Sequence, residues 1–208
     1  NSWPANLPHA RQHDARTLIG ATAPVSPDRL AADGWHRFGG HRWQMLTFVP
    51  PDGWPPMPGH GHQDIGSFEL HDGTTRVIVD PGRGSYADSE YENASAHNGI
   101  LIDGAGPMPV NRPYYSSAFR DRIVPDRPVI QRIRDGGILR NAGFGHLSGI
   151  GSVERETHLT DNRVEIIDRI DGTGRRCIRR QFFTPHPVES DGDAVMIDAG
   201  AASYRLSM

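Results

Sequence analysis

His60-Gly61-His62-Gln63-Asp64-Ile65-Gly66-Ser67-Phe68-Glu69-Leu70-His71 is followed by Val77-Ile78-Val79-Asp80-Pro81-Gly82 and then by Ser95-Ala96-His97-Asn98. Three apolar runs of strand length flank this stretch, and each carries histidine or aspartate at one end. Alternate residues of an extended strand share a face, so His60 and His62 point the same way, with Cα atoms roughly 7 Å apart. Asp80 ends the second run and His97 opens the third. Two imidazoles and a carboxylate from His62, Asp80 and His97 make a donor set suited to zinc, with a fourth position left for water or another side chain. Asp64, two residues beyond His62, can act as the acceptor that fixes a histidine tautomer, with Asn98 as a supporting residue beside His97. A lone His-x-His arises easily by chance among 11 histidines. Polar residues at the ends of three apolar runs are harder to dismiss, because a purely structural core prefers apolar side chains there.

Outward from this stretch the period stays close to two. Residues 35–38 and 43–49 read as strands joined at Gly39-Gly40, and residues 67–71 and 75–80 flank an Asp72-Gly73 hairpin turn. Residues 99–102, 129–133, 153–159, 164–170 and 177–183 follow as strands, with Asp161-Asn162 and Asp171-Gly172 as turns. Residues 194–197 and 203–206 close the series. A short helix is expected over residues 26–32, capped by Ser26 with Pro27 at its first position. Residues 105–128 read as an irregular, proline-containing insertion. Many short strands and almost no helical pattern predict an all-β, antiparallel sandwich or barrel. Residues 1–33 read as a linker or edge segment and residues 34–208 as one domain. The start at Asn1 and the strand-like ending at Met208 suggest a piece of a longer protein.

The composition narrows the function. A formal net charge of −3 gives no electrostatic case for nucleic-acid binding, and no apolar run is long enough to span a membrane. All 22 basic residues are arginine, the side chain that grips carboxylate or sulfate with two parallel hydrogen bonds. One cysteine, Cys177, excludes an intramolecular disulfide and a multi-cysteine metal site, and its strand context reads as a small core residue. Trp35 and Trp43 also read as core. The pairs Arg175-Arg176 and Arg179-Arg180 can meet an anionic glycan, but their alternation with apolar residues reads mainly as a solvated sheet face. Tyr114-Tyr115 can stack on a sugar or simply pack a surface loop.

Two metal motifs fail on particular residues. Metallo-β-lactamase-type hydrolases need a histidine where Ile65 stands, and cupins need a glutamate closer to the second histidine than Glu69. The same stretch, with Ser85-Tyr86 and the later Asp168-Arg-Ile-Asp-Gly172, resembles the C-terminal β-sandwich domain of heparinase II/III-like polysaccharide lyases. The resemblance covers roughly residues 34–208 and is specific in its first third.

It implies a supersandwich-like fold that follows an N-terminal (α/α) toroid in the parent chain, a toroid this chain lacks. It implies a structural zinc on His62, Asp80 and His97, and a catalytic His60 facing the cleft between the two domains. Tyr91, or failing that Tyr86, is the implied tyrosine on the loop after Asp-Pro-Gly, and Tyr114 and Tyr115 are candidates for substrate contact. The implied reaction is β-elimination on an acidic, uronic-acid-containing polysaccharide, in a bacterial, periplasmic or secreted setting, with negligible activity expected without the toroid. The rival is a zinc-stabilised sandwich that binds carbohydrate or acts as a scaffold without catalysis. A redox cupin-like oxygenase is a third reading.

Overall fold

The computed structural model describes residues 26–40, 42–51, 62–82, 93–109 and 127–207. Among the described residues one short helix, α1 (Pro27–Ala32), precedes thirteen strands: β1 (Trp35–Gly39), β2 (Trp43–Phe48), β3 (Phe68–Asp72), β4 (Thr75–Ile78), β5 (Gly99–Ile102), β6 (Val129–Ile133), β7 (Gly136–Asn141), β8 (Ile150–Leu159), β9 (Val164–Gly172), β10 (Ile178–Gln181), β11 (Val188–Asp191), β12 (Ala194–Asp198) and β13 (Ser203–Ser207). Ser26 caps α1 by accepting the Arg29 N–H at 3.3 Å, and Pro27 occupies the first turn, where a missing N–H costs nothing.

Every strand pairing among the described residues is antiparallel. Two four-stranded sheets, in the orders β1-β2-β3-β4 and β6-β7-β8-β9, form the body; β10-β5 is a two-stranded ribbon and β11-β12-β13 a small three-stranded sheet. Alternation writes the core. Trp43, Met45 and Thr47 of β2 are buried while the residues between them are half-exposed, and β8 buries Val153, Arg155, Thr157 and Leu159 in the same rhythm. The main core joins Phe38, Trp43, Met45, Phe68, Leu70, Val77 and Ile78 of the first sheet to Leu159 of the second and Ile197 of the third. The result is the all-β sandwich that the sequence pattern predicts. Two smaller clusters sit beside it, one around Ile102 and Phe144 and one around Val49, Ile65, Met108 and Leu139.

Five local expectations need correction. Strand β7 is absent from the sequence reading, because Gly136-Gly137 imitates a turn. Both glycines are required by close approach instead: a Cβ on Gly136 would stand 1.9 Å from the Thr157 carbonyl oxygen, and one on Gly137 would stand 2.5 Å from the Phe38 ring. Strand β11 is also unforeseen, since all four of its residues are exposed and show no apolar alternation. Asp171-Gly172 is not a turn; β9 runs through Gly172, which pairs with Ile150 across a bulge in β8. Cys177 and Trp35 are exposed rather than core. Cys177 precedes a strand whose first three residues face solvent, and Trp35 leans on the Phe48 ring with centroids 4.9 Å apart.

Candidate metal centre

The hairpin β3–β4 places the start of β3 beside the end of β4, and β5 begins nearby. Three connecting segments therefore meet at one end of the first sheet: residues 62–67 before β3, 79–82 after β4, and 93–98 before β5. They carry His62, Asp80 and His97. Their arrival is fixed by main-chain bonds. Val79 donates to Phe183 O at 2.9 Å, tying the end of β4 to the segment just after β10, the strand that pairs with β5. Gly66 turns the first segment into β3 with a φ of +76°, a conformation that favours glycine. Its N–H donates to Phe48 O at 3.0 Å.

The three side chains stand in a row. Asp80 Oδ1 and Oδ2 lie 3.1 and 3.0 Å from His97 Nδ1, and His97 Nε2 lies 3.2 Å from His62 Nδ1. The two imidazole rings are 5.1 Å apart and tilted by 43°. His97 is buried at 2 % exposure, so its ring has little freedom to leave this line. The Asp80 carboxylate is braced from two more sides. It accepts the Ser67 hydroxyl, and the Gly82 N–H reaches Oδ1 at 2.8 Å. Burial alone would raise the Asp80 carboxyl, but the hydrogen bond and charge of His97, with the Ser67 and Gly82 donors, hold it below the usual carboxylate range.

Behind the row lies a dense polar layer. Ser67 Oγ also accepts the Asn98 N–H at 3.0 Å. Asn98 is fully buried; its amide donates to Phe68 O at 2.8 Å and its Oδ1 accepts the Phe183 N–H at 2.7 Å. Asn98 thus supports Ser67, which supports Asp80, which orients His97. Asp64 lies close enough to His97 and Asp80 to feel their charges. It lines a small internal cavity of about 30 Å³ together with Asn141, Arg155 and Asp168, and burial pushes its carboxyl up to about 6 despite the opposing charge of His97. The partner on His97 Nδ1 is Asp80. A space of this size is enough for an ordered water among polar walls.

The far wall of that cavity carries Arg155 and Asp168, a buried ion pair joined by the exposed Arg180. Arg155 Nε and Nη2 meet the two Asp168 carboxylate oxygens at 2.7 and 3.2 Å, and Arg180 Nε reaches Oδ2 at 2.8 Å. Arg155 Nη1 also donates to Gly66 O at 3.3 Å, so the triad touches the segment that carries His62. Burial would raise Asp168, but the two guanidinium groups more than reverse it and hold the carboxyl low.

As to zinc, the donor chemistry fits: two imidazoles and a carboxylate, each within hydrogen-bond distance of the next. The arrangement is a row rather than a cage, and among the described residues no group of three His, Cys, Asp or Glu side chains surrounds a single point. His60, Tyr86, Tyr91, Tyr114 and Tyr115 lie outside the described residues. The structure adds residues that the motif did not announce. Ser67, Gln63 and Gln181 all serve main-chain or carboxylate groups far away in sequence, and only Ser67 carried a signal, as a hydroxyl directly after the glycine that starts β3.

No curated protein matches the chain. The family model described as "Heparinase II/III-like, C-terminal" matches residues 23–194, a span that includes the row, its braces and both main sheets. The chain therefore belongs to the heparinase II/III-like C-terminal domain family, a family of polysaccharide lyases.

Proposed function

We propose that this chain is the sandwich part of an active site that cleaves uronic-acid-containing polysaccharide by β-elimination, with a structural zinc on His62, Asp80 and His97. The observation that carries the reading is the Asp80–His97–His62 row, with its carboxylate braced by Ser67 and the Gly82 N–H and held ionised. So much supporting structure behind three polar side chains is what a cation site needs, since its ligands must be oriented before the metal arrives. When bound, zinc would pin three connecting segments at the end of the first sheet. Asp80 supplies negative charge and His62 and His97 neutral nitrogen donors.

The chemistry follows from family membership. In β-elimination a base removes the proton at C5 of the uronate, a polar group neutralises the adjacent carboxylate, and an acid protonates the departing O4. His60 shares a segment with His62 and is the proposed catalytic group on this domain, helped by Tyr91 or Tyr86; Tyr114 and Tyr115 are proposed to contact the sugar. The remaining groups are proposed to come from a helical toroid of the same parent chain, and the setting to be periplasmic or secreted, as is typical of the family. No helix among the described residues is long and apolar enough to cross a membrane.

Two measurements test this. Elemental analysis of the purified chain should find one zinc per chain, reduced in His97→Ala. Incubation with heparin, alginate or hyaluronate should yield negligible unsaturated product from the chain alone, and turnover when it is joined to its helical partner. In that joined protein, His60→Ala should abolish turnover while zinc content holds. Zinc without turnover in the joined protein would favour a binding or scaffold domain, and a redox metal in place of zinc would overturn the reading.

A further inference from the structure

The segment that delivers His97 is a single 3-10 turn, Ala94–Ala96. Its own main-chain bonds are Ala96 N to Asn93 O at 2.9 Å and His97 N to Ala94 O at 3.2 Å. A turn this short has no ladder to hold it, and its N–H and C=O groups must find partners elsewhere. Two glutamine side chains from distant segments supply them. Gln63 is buried; its Oε1 accepts the Ala94 N–H at 3.1 Å and its amide donates to Met108 O. Gln181, the last residue of β10, uses one amide nitrogen twice, donating to Ala94 O at 2.8 Å and to His97 O at 2.9 Å. Gly106 closes a third side, since a Cβ there would stand 2.4 Å from Ala94 Cβ and 3.0 Å from Gln63 Oε1.

We infer that Gln63 and Gln181 are positioning residues, a clamp on both ends of the Ala94–Ala96 turn that holds the His97 imidazole in line with Asp80 and His62 before any metal binds. The inference rests on the zinc reading above and goes beyond it. It assigns to β10, a strand with no motif residue, control over how tightly the metal is held. The physical basis is preorganisation. A ligand whose main chain is already fixed loses less freedom on binding, and partners that orient ligands typically change metal affinity about 10–100-fold when removed. Gln181 is suited to the task because a neutral amide satisfies two carbonyls without placing a further charge beside Asp80 and His97.

The test compares the wild-type chain with Gln181→Leu, Gly106→Ala and Gln131→Leu, the last an exposed glutamine of β6 used as control. Zinc affinity is read by competition with a chromogenic chelator, and Tm is read with and without zinc. The clamp predicts that Gln181→Leu weakens zinc binding about 10–100-fold and shrinks the rise in Tm that zinc produces, while Gln131→Leu changes neither. A merely structural role would lower Tm equally with and without zinc and leave affinity alone, which overturns the inference. If Gln181→Leu does not fold, Gly106→Ala decides. It presses on Ala94 and on Gln63 Oε1 while leaving both glutamine side chains in the chain, and it should weaken zinc binding; wild-type affinity in that variant overturns the clamp. A wild-type chain that takes up no zinc defeats the zinc reading itself, whereas zinc uptake unchanged in the variants defeats the clamp alone.

Discussion

Arg155 and Asp168 face each other across the paired strands β8 and β9, whereas Asp80, His97 and His62 come from three connecting segments that meet only at their tips. Both are buried polar centres, they share the wall of one small cavity, and they are built in opposite ways. The strand-borne pair inherits its geometry from the ladder: once β8 and β9 are in register, the guanidinium and the carboxylate are opposite each other. The connecting segments have no ladder to inherit. Their side chains are placed by Ser67, Asn98, Gln63 and Gln181, each bonding to a group at least 31 residues away or to another such brace. A centre of the first kind is stiff because its scaffold is stiff. A centre of the second kind can be tuned residue by residue, which suits a site whose ligands must accept a metal.

The largest expected effect breaks the strand-borne centre. Asp168→Ala leaves Arg155 buried without its ion-pair partner, and removing one partner of such a pair costs about 3–5 kcal/mol. Urea unfolding of the variant should show this as a fall in midpoint with little change in slope. A loss below about 1 kcal/mol, the range of exposed ion pairs, would mean that the triad is solvated and the contrast with the connecting segments false.

A smaller effect is expected in the loop-borne centre. Ser67→Ala removes one bond to Asp80 and leaves the buried Asn98 N–H without its acceptor, at a cost of about 1–3 kcal/mol. Because the braces are many and neutral, the fold should survive and β3 keep its register. Hydrogen exchange can check this: protection should drop at Asn98 and its neighbours and hold in β8 and β9. Equal loss in both regions would show the two centres to be one cooperative unit.

The same division explains what the sequence could tell. Alternation in β2 and β8 is visible because a half-buried strand repeats every two residues, and the strands of both main sheets other than β7 follow from such patterns. His62, Asp80 and His97 stand out because polar residues at the ends of apolar runs need a reason to be there. Gln63 and Gln181 are silent, since a glutamine beside a histidine or at the end of an arginine-rich strand has no periodic meaning. Their role exists only once β10 lies beside the His97 segment, and that contact joins residues 84 apart. Arg155 was hidden for the opposite reason: it occupies an inward position of β8, where the pattern asks for an apolar residue, and its partner is known only from the strand register. Strand β7 was masked by two glycines whose purpose, room for Phe38 and for the Thr157 carbonyl, belongs to the packed sheets and not to the local chain.

The most delicate contrast lies between two carboxylates that line one cavity. Asp168 is held low by two arginines, so its stabilising contribution is present above the unfolded value near pH 4 and is lost as pH falls through its native value. Asp64 is raised to about 6, chiefly by burial. Between about pH 4 and 6 the unfolded chain therefore holds fewer protons at this position than the native one, and stability falls as pH rises through that window. With chelator present to keep metal out, Asp64→Asn should be more stable than the wild type at pH 7, by about 1–2 kcal/mol given its partial exposure, and indistinguishable from it below pH 4. The loss caused by Asp168→Asn should run the other way, large at pH 7 and shrinking in acid as the wild type loses the ion pair too. Unfolding free energies measured across this range decide the matter. Parallel profiles for the two variants would mean that the cavity sets one common environment, and that the arginine side and the histidine side of it are not electrostatically distinct.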